Sequence, residues 1–313
     1  MKILITGGAG FIGSHVADAY LEAGHQVVVV DNLSSGRREN LDPAVTFHQL
    51  DIRDAALEEV FEREKPDVVN HHAAQVSVPR SVEDPLLDAQ INLLGLINVL
   101  QCCVKHHVKK VIFISSGGAI YGEADEYPTT EKYPPRPLSV YAINKLGGEN
   151  YLGFYRHQYG LNYTVLRYAN VFGPRQYAQS EAGVVSIFVE KLLADEAPAL
   201  YAYPDEPEGM IRDYVYVRDV VRANLAALDR GDNDVFNIGT CVETTTSQLF
   251  KTILWQIGKD IQPLSGPARK GDLRRSLLDS SKAFKELGWS PIYSLADGIR
   301  ETVAYFQAQR AQK

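Results

Sequence analysis

Cysteine is scarce in this chain: Cys102, Cys103 and Cys241 are the only three in 313 residues. Two of them are adjacent, which suits neither a disulfide framework nor a CxxC metal knuckle. All three read as buried free thiols of a reducing compartment. Positive charge is short as well. The formal net charge is −7, so the bulk surface offers no attraction to nucleic acid or anionic lipid. An anionic ligand would need local basic residues. No apolar run approaches the ~20 residues that span a bilayer. The N-terminus enters Ile3-Leu4-Ile5 without the three-part layout of a secretory leader, so a cytoplasmic location is expected. Internal repeats and low-complexity tracts are lacking. No His, Asp or Glu cluster has metal-ligand spacing, and no metal is expected.

What is present has the profile of a globular protein, with 45% hydrophobic and 23% charged residues. The length is ordinary for one domain plus a smaller companion. Short β-branched runs at Lys2–Thr6, Gln26–Asp31, Val45–Asp51, Asp67–Asn70, Lys109–Ser115 and Asn162–Arg167 alternate with longer amphipathic stretches. Helices are expected over Ile12–Ala23, Asp54–Glu64, Pro85–His106 and Leu138–Tyr159. The run Val27-Val28-Val29-Val30 suits a strand covered on both faces. The alternation predicts an α/β fold: a Rossmann-type, doubly wound parallel sheet with right-handed crossovers. After Tyr168 the rhythm shortens, and Pro, Gly and Tyr become frequent. We therefore expect a first domain over 1–168 and a smaller, partly interleaved α/β domain over 169–313. Segments near 214–238, such as the strand Val235–Ile238, are expected to return to the first.

The run Thr6-Gly7-Gly8-Ala9-Gly10-Phe11-Ile12-Gly13 follows the first strand and opens the first helix. Gly7, Gly10 and Gly13 permit a tight turn and close backbone approach to a pyrophosphate. The Phe11 and Ile12 amides belong to a helix N-terminus, which favours an anion. The second strand ends in Asp31, whose carboxylate can take both ribose hydroxyls and repels a 2′-phosphate. NAD is therefore the expected cofactor. Arg37 and Arg38 read as loop residues.

Tyr141 and Lys145 stand four residues apart on an expected helix, so they share one face. An ammonium beside a phenol favours the phenolate. Such a tyrosine can remove a hydroxyl proton while hydride leaves the same carbon. Alone, the spacing would describe a surface lysine beside a half-buried tyrosine. Downstream of a dinucleotide turn it points to an active site.

Taken together, TGGAGFIGS from Thr6, DNLSSG from Asp31, SSGGAIYG from Ser115 and YAINK from Tyr141 resemble the extended short-chain dehydrogenase/reductases. Within them the chain is most similar to the UDP-glucose (UDP-galactose) 4-epimerase family, including members that also accept N-acetylated sugars. The resemblance runs along nearly the whole chain. It implies a held NAD and a C-terminal nucleotide-sugar domain. It makes Tyr141 the acid/base and sets Lys145 on the nicotinamide ribose. It sets Asp51-Ile52 against the adenine, and Ala73, Ala74 and Asn92 along the cofactor groove. Asn32, Ser35, Gly36, Gln75, Ser115 and Tyr168 complete the implied cofactor set. The family's hydroxyl residue, five before the glycine of the Tyr-Gly pair, falls on Gly117. We assign its role to the neighbouring Ser116.

On the substrate side the resemblance implies Asn170, Arg212 and Arg269 for the diphosphate and Asp272 for the uridine ribose. Guanidinium groups suit those oxygens because one fork can bind two of them. Ser276 stands where some relatives carry a bulky tyrosine, so space for an N-acetyl group is expected. A homodimer through the helices Pro85–His106 and Leu138–Tyr159 is implied. His71-His72 and His106-His107 read as packing and helix-end residues, and Trp255 and Trp289 as core or packing aromatics. Two rivals stay open: a UDP-glucuronate 4-epimerase or decarboxylase, or another nucleotide-sugar-modifying enzyme of that class, and a non-catalytic NAD-binding partner protein. A 4,6-dehydratase would need an Asp-Glu pair where Gly118-Ala119 stands.

Overall fold

Strands without a polar face have to be covered on both sides, and these are. The structure, a computed structural model, describes residues 1–178, 183–269 and 271–311. The first six strands are β1 (Lys2–Thr6), β2 (Gln26–Asp31), β3 (Thr46–Gln49), β4 (Val68–His71), β5 (Lys110–Ser116) and β6 (Asn162–Tyr168). Next come β7 (Asn170–Phe172), β8 (Ala199–Ala202), β9 (Ile211–Tyr216), β10 (Asp234–Ile238), β11 (Glu243–Thr245) and β12 (Leu264–Pro267). One seven-stranded sheet runs β10-β6-β5-β4-β1-β2-β3, and every pairing in it is parallel. The period-2 geometry splits its apolar residues between two cores. Ile3, Ile5, Val27 and Val29 enter one; Leu4, Val28 and Val30 enter the other.

The helices are α1 (Phe11–Glu22), α2 (Leu57–Glu64), α3 (Val78–Glu83), α4 (Pro85–Lys105), α5 (Gly117–Ile120) and α6 (Val140–Tyr159). They continue with α7 (Val184–Leu193), α8 (Val217–Asp229), α9 (Thr246–Ile257) and α10 (Leu295–Ala311). The later half builds a three-stranded sheet, β11-β9-β7, and a two-stranded one, β12-β8. They pack with α7, α9 and α10 around a third core that includes Phe172, Phe188, Leu249 and Ile299. Within 214–238, Tyr214–Tyr216 belong to the small sheet. The following helix α8 packs on α1, and β10 extends the large sheet beside β6.

Four details differ from the sequence expectations. Helix α4 has 21 residues with mean hydropathy 1.4, so by length and composition it could cross a bilayer. Its apolar side chains divide between a buried face, with Leu96, Val99 and Leu100, and exposed Leu86 and Leu94, while Asp88 and Asn92 lie buried inside. The same helix carries a π-helical stretch, Gln90–Leu94. Trp289 is a core residue, its Nε1 donating to the Asp219 carbonyl at 2.8 Å, but Trp255 is exposed. It lies off the stripe of Leu249, Phe250 and Ile253 that α9 buries. Finally, Cys102 and Cys103 are buried free thiols, whereas Cys241 is exposed in a turn at φ 60°.

The strand order reverses between β2 and β4, on either side of β1. Ligands of such sheets bind at the carboxyl ends of the strands at that reversal. Here those ends are Thr6, Asp31, His71 and Ser116.

Candidate active site

The turn after β1 leaves no room for side chains. Gly7 has φ +68°, and a Cβ there would lie 2.5 Å from the Ala73 backbone nitrogen. At Gly13 a Cβ would lie 2.4 Å from the Gly7 carbonyl oxygen. The loops after β1 and β4 thus approach as bare backbone. The N-cap of α1 is Gly10, which provides no side-chain cap, and the first turn holds no acidic residue. These helix-end amides keep their donors for an anion, which fits the diphosphate of a dinucleotide. Phe11 contributes backbone alone, because its ring is 2% exposed and belongs to the third core. Ile12 is half-buried beside it.

Asp31 closes β2 and is 7% exposed. It accepts from Ala9 N at 2.9 Å and Leu33 N at 2.8 Å. Burial raises its pKa and these two amides oppose the shift. A Cβ at Gly36 would lie 2.9 Å from both Asp31 oxygens, so glycine is needed there. Asn32 bonds Asp51 at 2.9 Å, and Arg53 donates to the same carboxylate through Nε and Nη2 at 2.8 Å each. Those bonds hold Asp51 ionised well below the usual carboxylate range. Ile52 is 5% exposed behind it, and Ser35 is exposed at the loop tip.

Half-buried Ala73 and Ala74 follow β4. Asn92 is fully engaged with the next residue: Oδ1 accepts from Gln75 N, and Nδ2 donates to Gln75 O, both at 2.9 Å. The Gln75 side chain is spent on Ser77 and Asp88. Asn92 and Gln75 therefore hold the groove's loop in place. Two residues of the expected cofactor set turn their side chains away. Ser115 donates to Glu149 at 2.5 Å, and the Tyr168 hydroxyl accepts from Asn224 at 2.6 Å inside the core.

Tyr141 and Lys145 lie in the first turns of α6. That helix starts cleanly because Ser139 caps the Ala142 amide at 3.2 Å, and it stops at Gly160 with φ 73°. Buried Ser81 accepts the Tyr141 amide at 3.2 Å, fixing where the tyrosine begins. Lys145 Nζ lies 5.9 Å from the Tyr141 ring centroid and donates to the Ile114 carbonyl at 2.9 Å. Lys145 is 4% exposed, and burial lowers its pKa to about 8, against the opposing fields of Asp88 and Glu149.

Ser116 is half-buried at the end of β5, and its hydroxyl makes no hydrogen bond among the described residues. Gly117 behaves differently from what its neighbours suggest. A Cβ there would point into the core, 2.5 Å from Leu278 Cδ1 and 3.2 Å from the Arg167 carbonyl oxygen. The position facing the substrate-side residues is Gly118, whose Cβ would lie 3.5 Å from Asn170 Oδ1 and 3.7 Å from Ser276 Oγ.

That contact ties the large sheet's edge to the later half. Asn170 lies on β7 opposite Tyr214, and Ser276 is 6% exposed. Arg212, on β9, donates to the carbonyls of Ile211 at 2.9 Å, Arg274 at 3.4 Å and Leu273 at 2.6 Å. No carboxylate pairs with it among the described residues, and burial lowers its pKa. Arg269 and Asp272 form one turn, Arg269 N donating to Asp272 Oδ2 at 3.1 Å; Lys270 between them lies outside the described residues. The Arg269 guanidinium is exposed and sits 4.4 Å over the Tyr201 ring.

Sequence reasoning missed Ser81, Asp88, Glu149, Gly118 and Leu278. Glu149, four residues after Lys145, carried a periodicity signal; the others act through contacts distant in sequence.

The chain matches the profile of the NAD dependent epimerase/dehydratase family over residues 3–239. It is 45% identical to a UDP-glucose 4-epimerase of Mycolicibacterium smegmatis, over 98% of this chain and 99% of that one. Among solved structures it resembles the Thermotoga maritima UDP-glucose 4-epimerase with UDP-glucose, at 50% identity and TM-score 0.96, covering 99% and 100% of the two chains. It also resembles the UDP-N-acetylglucosamine 4-epimerase of Methanobrevibacter ruminantium in complex with UDP-N-acetylmuramic acid. There the identity is 36% and the TM-score 0.92, with 98% of each chain covered.

Proposed function

Since the chain belongs to the NAD dependent epimerase/dehydratase family, we propose that it is an isomerase interconverting UDP-glucose and UDP-galactose at carbon 4 of the sugar. The observation that carries this reading is the buried Lys145 one helical turn from Tyr141, bonded to the carboxyl end of β5 in a sheet whose β1 runs into the glycine cradle. NAD, when bound, would supply a reversible hydride acceptor for carbon 4, so that either face of the sugar can be reduced again.

The chain's own residues do the rest. Tyr141 takes the proton of the sugar 4-hydroxyl and later gives it back. Lys145, fixed by the Ile114 carbonyl, stabilises the phenolate between those two events. Ser116, with its hydroxyl unengaged by the described residues, bonds the reacting oxygen. Arg212 and Arg269 hold the diphosphate, Asn170 assists them and Asp272 takes the uridine ribose. With the UDP anchored, the sugar can turn over in the space left by Gly118 and Ser276. Gly7, Gly10 and Gly13 would hold the dinucleotide, with Asp31 accepting from its ribose.

Two further readings belong to the same function. Small Ser276 facing Gly118 supports acceptance of UDP-N-acetylhexosamines. Exposed Leu86 and Leu94 on α4, with Ile143 and Phe154 on α6, support a homodimer joined through these two helices. Its unbridged thiols suit a cytoplasmic enzyme. Residues 1–168 serve as the NAD domain and 169–313 as the nucleotide-sugar domain, with α8 and β10 shared.

The test is incubation of purified protein, with no NAD added, with UDP-glucose, UDP-GlcNAc and UDP-glucuronate, followed by separation of the sugars. UDP-galactose is expected, with UDP-GalNAc from the second arm. Conversion of the glucuronate alone, or no conversion at all, overturns the reading.

A further inference from the structure

Among the buried carboxylates, Asp88 stands next to the helix that carries Tyr141 and Lys145. Asp88 is wholly buried on α4, just before the π-helical stretch. Its Oδ1 accepts from Asn144 Nδ2 and its Oδ2 from Gln75 Nε2, both at 2.7 Å. Two neutral amides hold it, and no Lys or Arg forms an ion pair with it among the described residues. A buried anion without a compensating charge is costly. Asn144, which donates to Asp88, is followed on α6 by buried Lys145, so the two opposite charges lie on packed helices joined by that bond, and the Asp88 field reaches the ammonium.

Lys145 feels two carboxylates, and they are not equivalent. Glu149 already accepts from Arg167 Nε at 3.0 Å and Nη2 at 2.5 Å, and from Ser115. From Lys145 that ion pair is close to neutral. Asp88 is the uncancelled negative charge. Among the described residues the other groups facing Lys145 bring no carboxylate: the Phe113 ring at 5.2 Å, the Tyr141 ring at 5.9 Å, and His71 and His72, both kept neutral by burial.

We propose that Asp88 is the counter-ion of Lys145: a positioning residue, clamped by Gln75 and Asn144, that holds the ammonium in its buried seat and acts on Tyr141 through it. The proposal rests on the reading that Tyr141 and Lys145 perform the proton transfer. It also explains the geometry of the groove, because the glutamine that clamps Asp88 belongs to the loop that Asn92 pins.

The sign is determined. Without the Asp88 charge, Lys145 releases its proton at lower pH, so the alkaline limb of kcat/KM moves down. The experiment compares pH profiles of wild type, Asp88→Asn and Asp88→Glu on UDP-glucose. In parallel, NMR follows 13Cε-labelled Lys145, assigned through Lys145→Met. For Asp88→Asn both the limb and the lysine titration should fall by about one pH unit, a tenfold loss on the alkaline side, while Asp88→Glu stays near wild type. A uniform fall in rate with limb and lysine titration unmoved overturns the proposal. Should Asp88→Asn fail to fold, the 13C carboxyl signal of Asp88 in wild type decides: ionised at neutral pH supports it, protonated overturns it. Absence of wild-type turnover would overturn the epimerase reading alone, because both NMR measurements need no reaction.

Discussion

Serine at position 117 would restore the residue type the family resemblance expects, and the structure says it will harm the protein. A Cβ there meets Leu278 Cδ1 at 2.5 Å and Cδ2 at 3.1 Å. Leu278 is 1% exposed, and its amide is directed at buried Asp213, so its backbone has little freedom to retreat. Its side chain must turn within a packed core, which costs ~1–3 kcal/mol. A serine hydroxyl donating to the nearby Arg167 carbonyl returns about 1 kcal/mol at best. Gly117→Ser should therefore lose about 1–2 kcal/mol. Leu278→Ala alone leaves a cavity and should lose ~2–5 kcal/mol. In the double variant the clash disappears and the serine occupies part of the cavity. The two changes should then couple favourably by about 1–2 kcal/mol. Urea midpoints of the four proteins at saturating NAD, each converted to free energy, measure that coupling. Costs that add to within about 0.5 kcal/mol would show that Leu278 does not fill the space in question, and the placement of Gly117 would be wrong.

Other consequences are more direct. Tyr141→Phe should fold normally and lose about 10²–10⁴ in kcat on UDP-glucose, read by the coupled formation of UDP-galactose. Gly13→Ala sets a Cβ 2.4 Å from a backbone carbonyl that cannot yield, so the purified protein should carry markedly less NAD than wild type by absorbance after denaturation. Arg212→Met should raise KM for UDP-sugars at least about tenfold with a smaller change in kcat, since the arginine serves binding in ground and transition states alike. Acid should destabilise the fold: burial lowers His15 to about 4 and His72 to about 3, so the unfolded chain binds protons from about 6.5 downward that the folded chain refuses. Stability then falls between those values, and His15→Gln, whose amide can still donate to the Pro174 carbonyl, should flatten the fall in a pH series of melting temperatures.

The large sheet was legible because its strands obey local rules. Val27 to Val30 alternate between two cores, and that demands apolar residues in an unbroken run. The glycine turn was legible for the same reason: Gly7 and Gly13 answer to backbone atoms within one β-α-β unit. Side-chain destinations were less so. Ser115 and Tyr168 stand at strand ends facing the groove in sequence terms, yet Glu149 and Asn224, supplied by distant helices, draw their hydroxyls inward. Gly117 and Gly118 look interchangeable in the sequence. One faces Leu278 and the other Ser276, and both of those partners lie more than a hundred residues away.

Buried positive charge offers a more general guide to such a site than motif spacing does. Arg167 is buried and doubly bonded to Glu149; Lys110 is buried against Asp232 and the Arg230 carbonyl; partly buried Arg175 bonds Asp18. Each of these cations has an anion and needs none from outside. Among the described residues Lys145 and Arg212 are bonded to backbone carbonyls alone, and burial depresses both. Desolvating a cation without bonding it to an anion is unfavourable; for Lys145 the charge of Asp88 offsets part of that cost, and a ligand's charge can offset the rest. On the function proposed above, Arg212 meets the diphosphate, and Lys145 serves a phenol that must become an anion. In a chain of net charge −7, buried Lys145 and half-buried Arg212, neither with a bonded carboxylate among the described residues, would on that reading mark the two ends of one bound ligand pair.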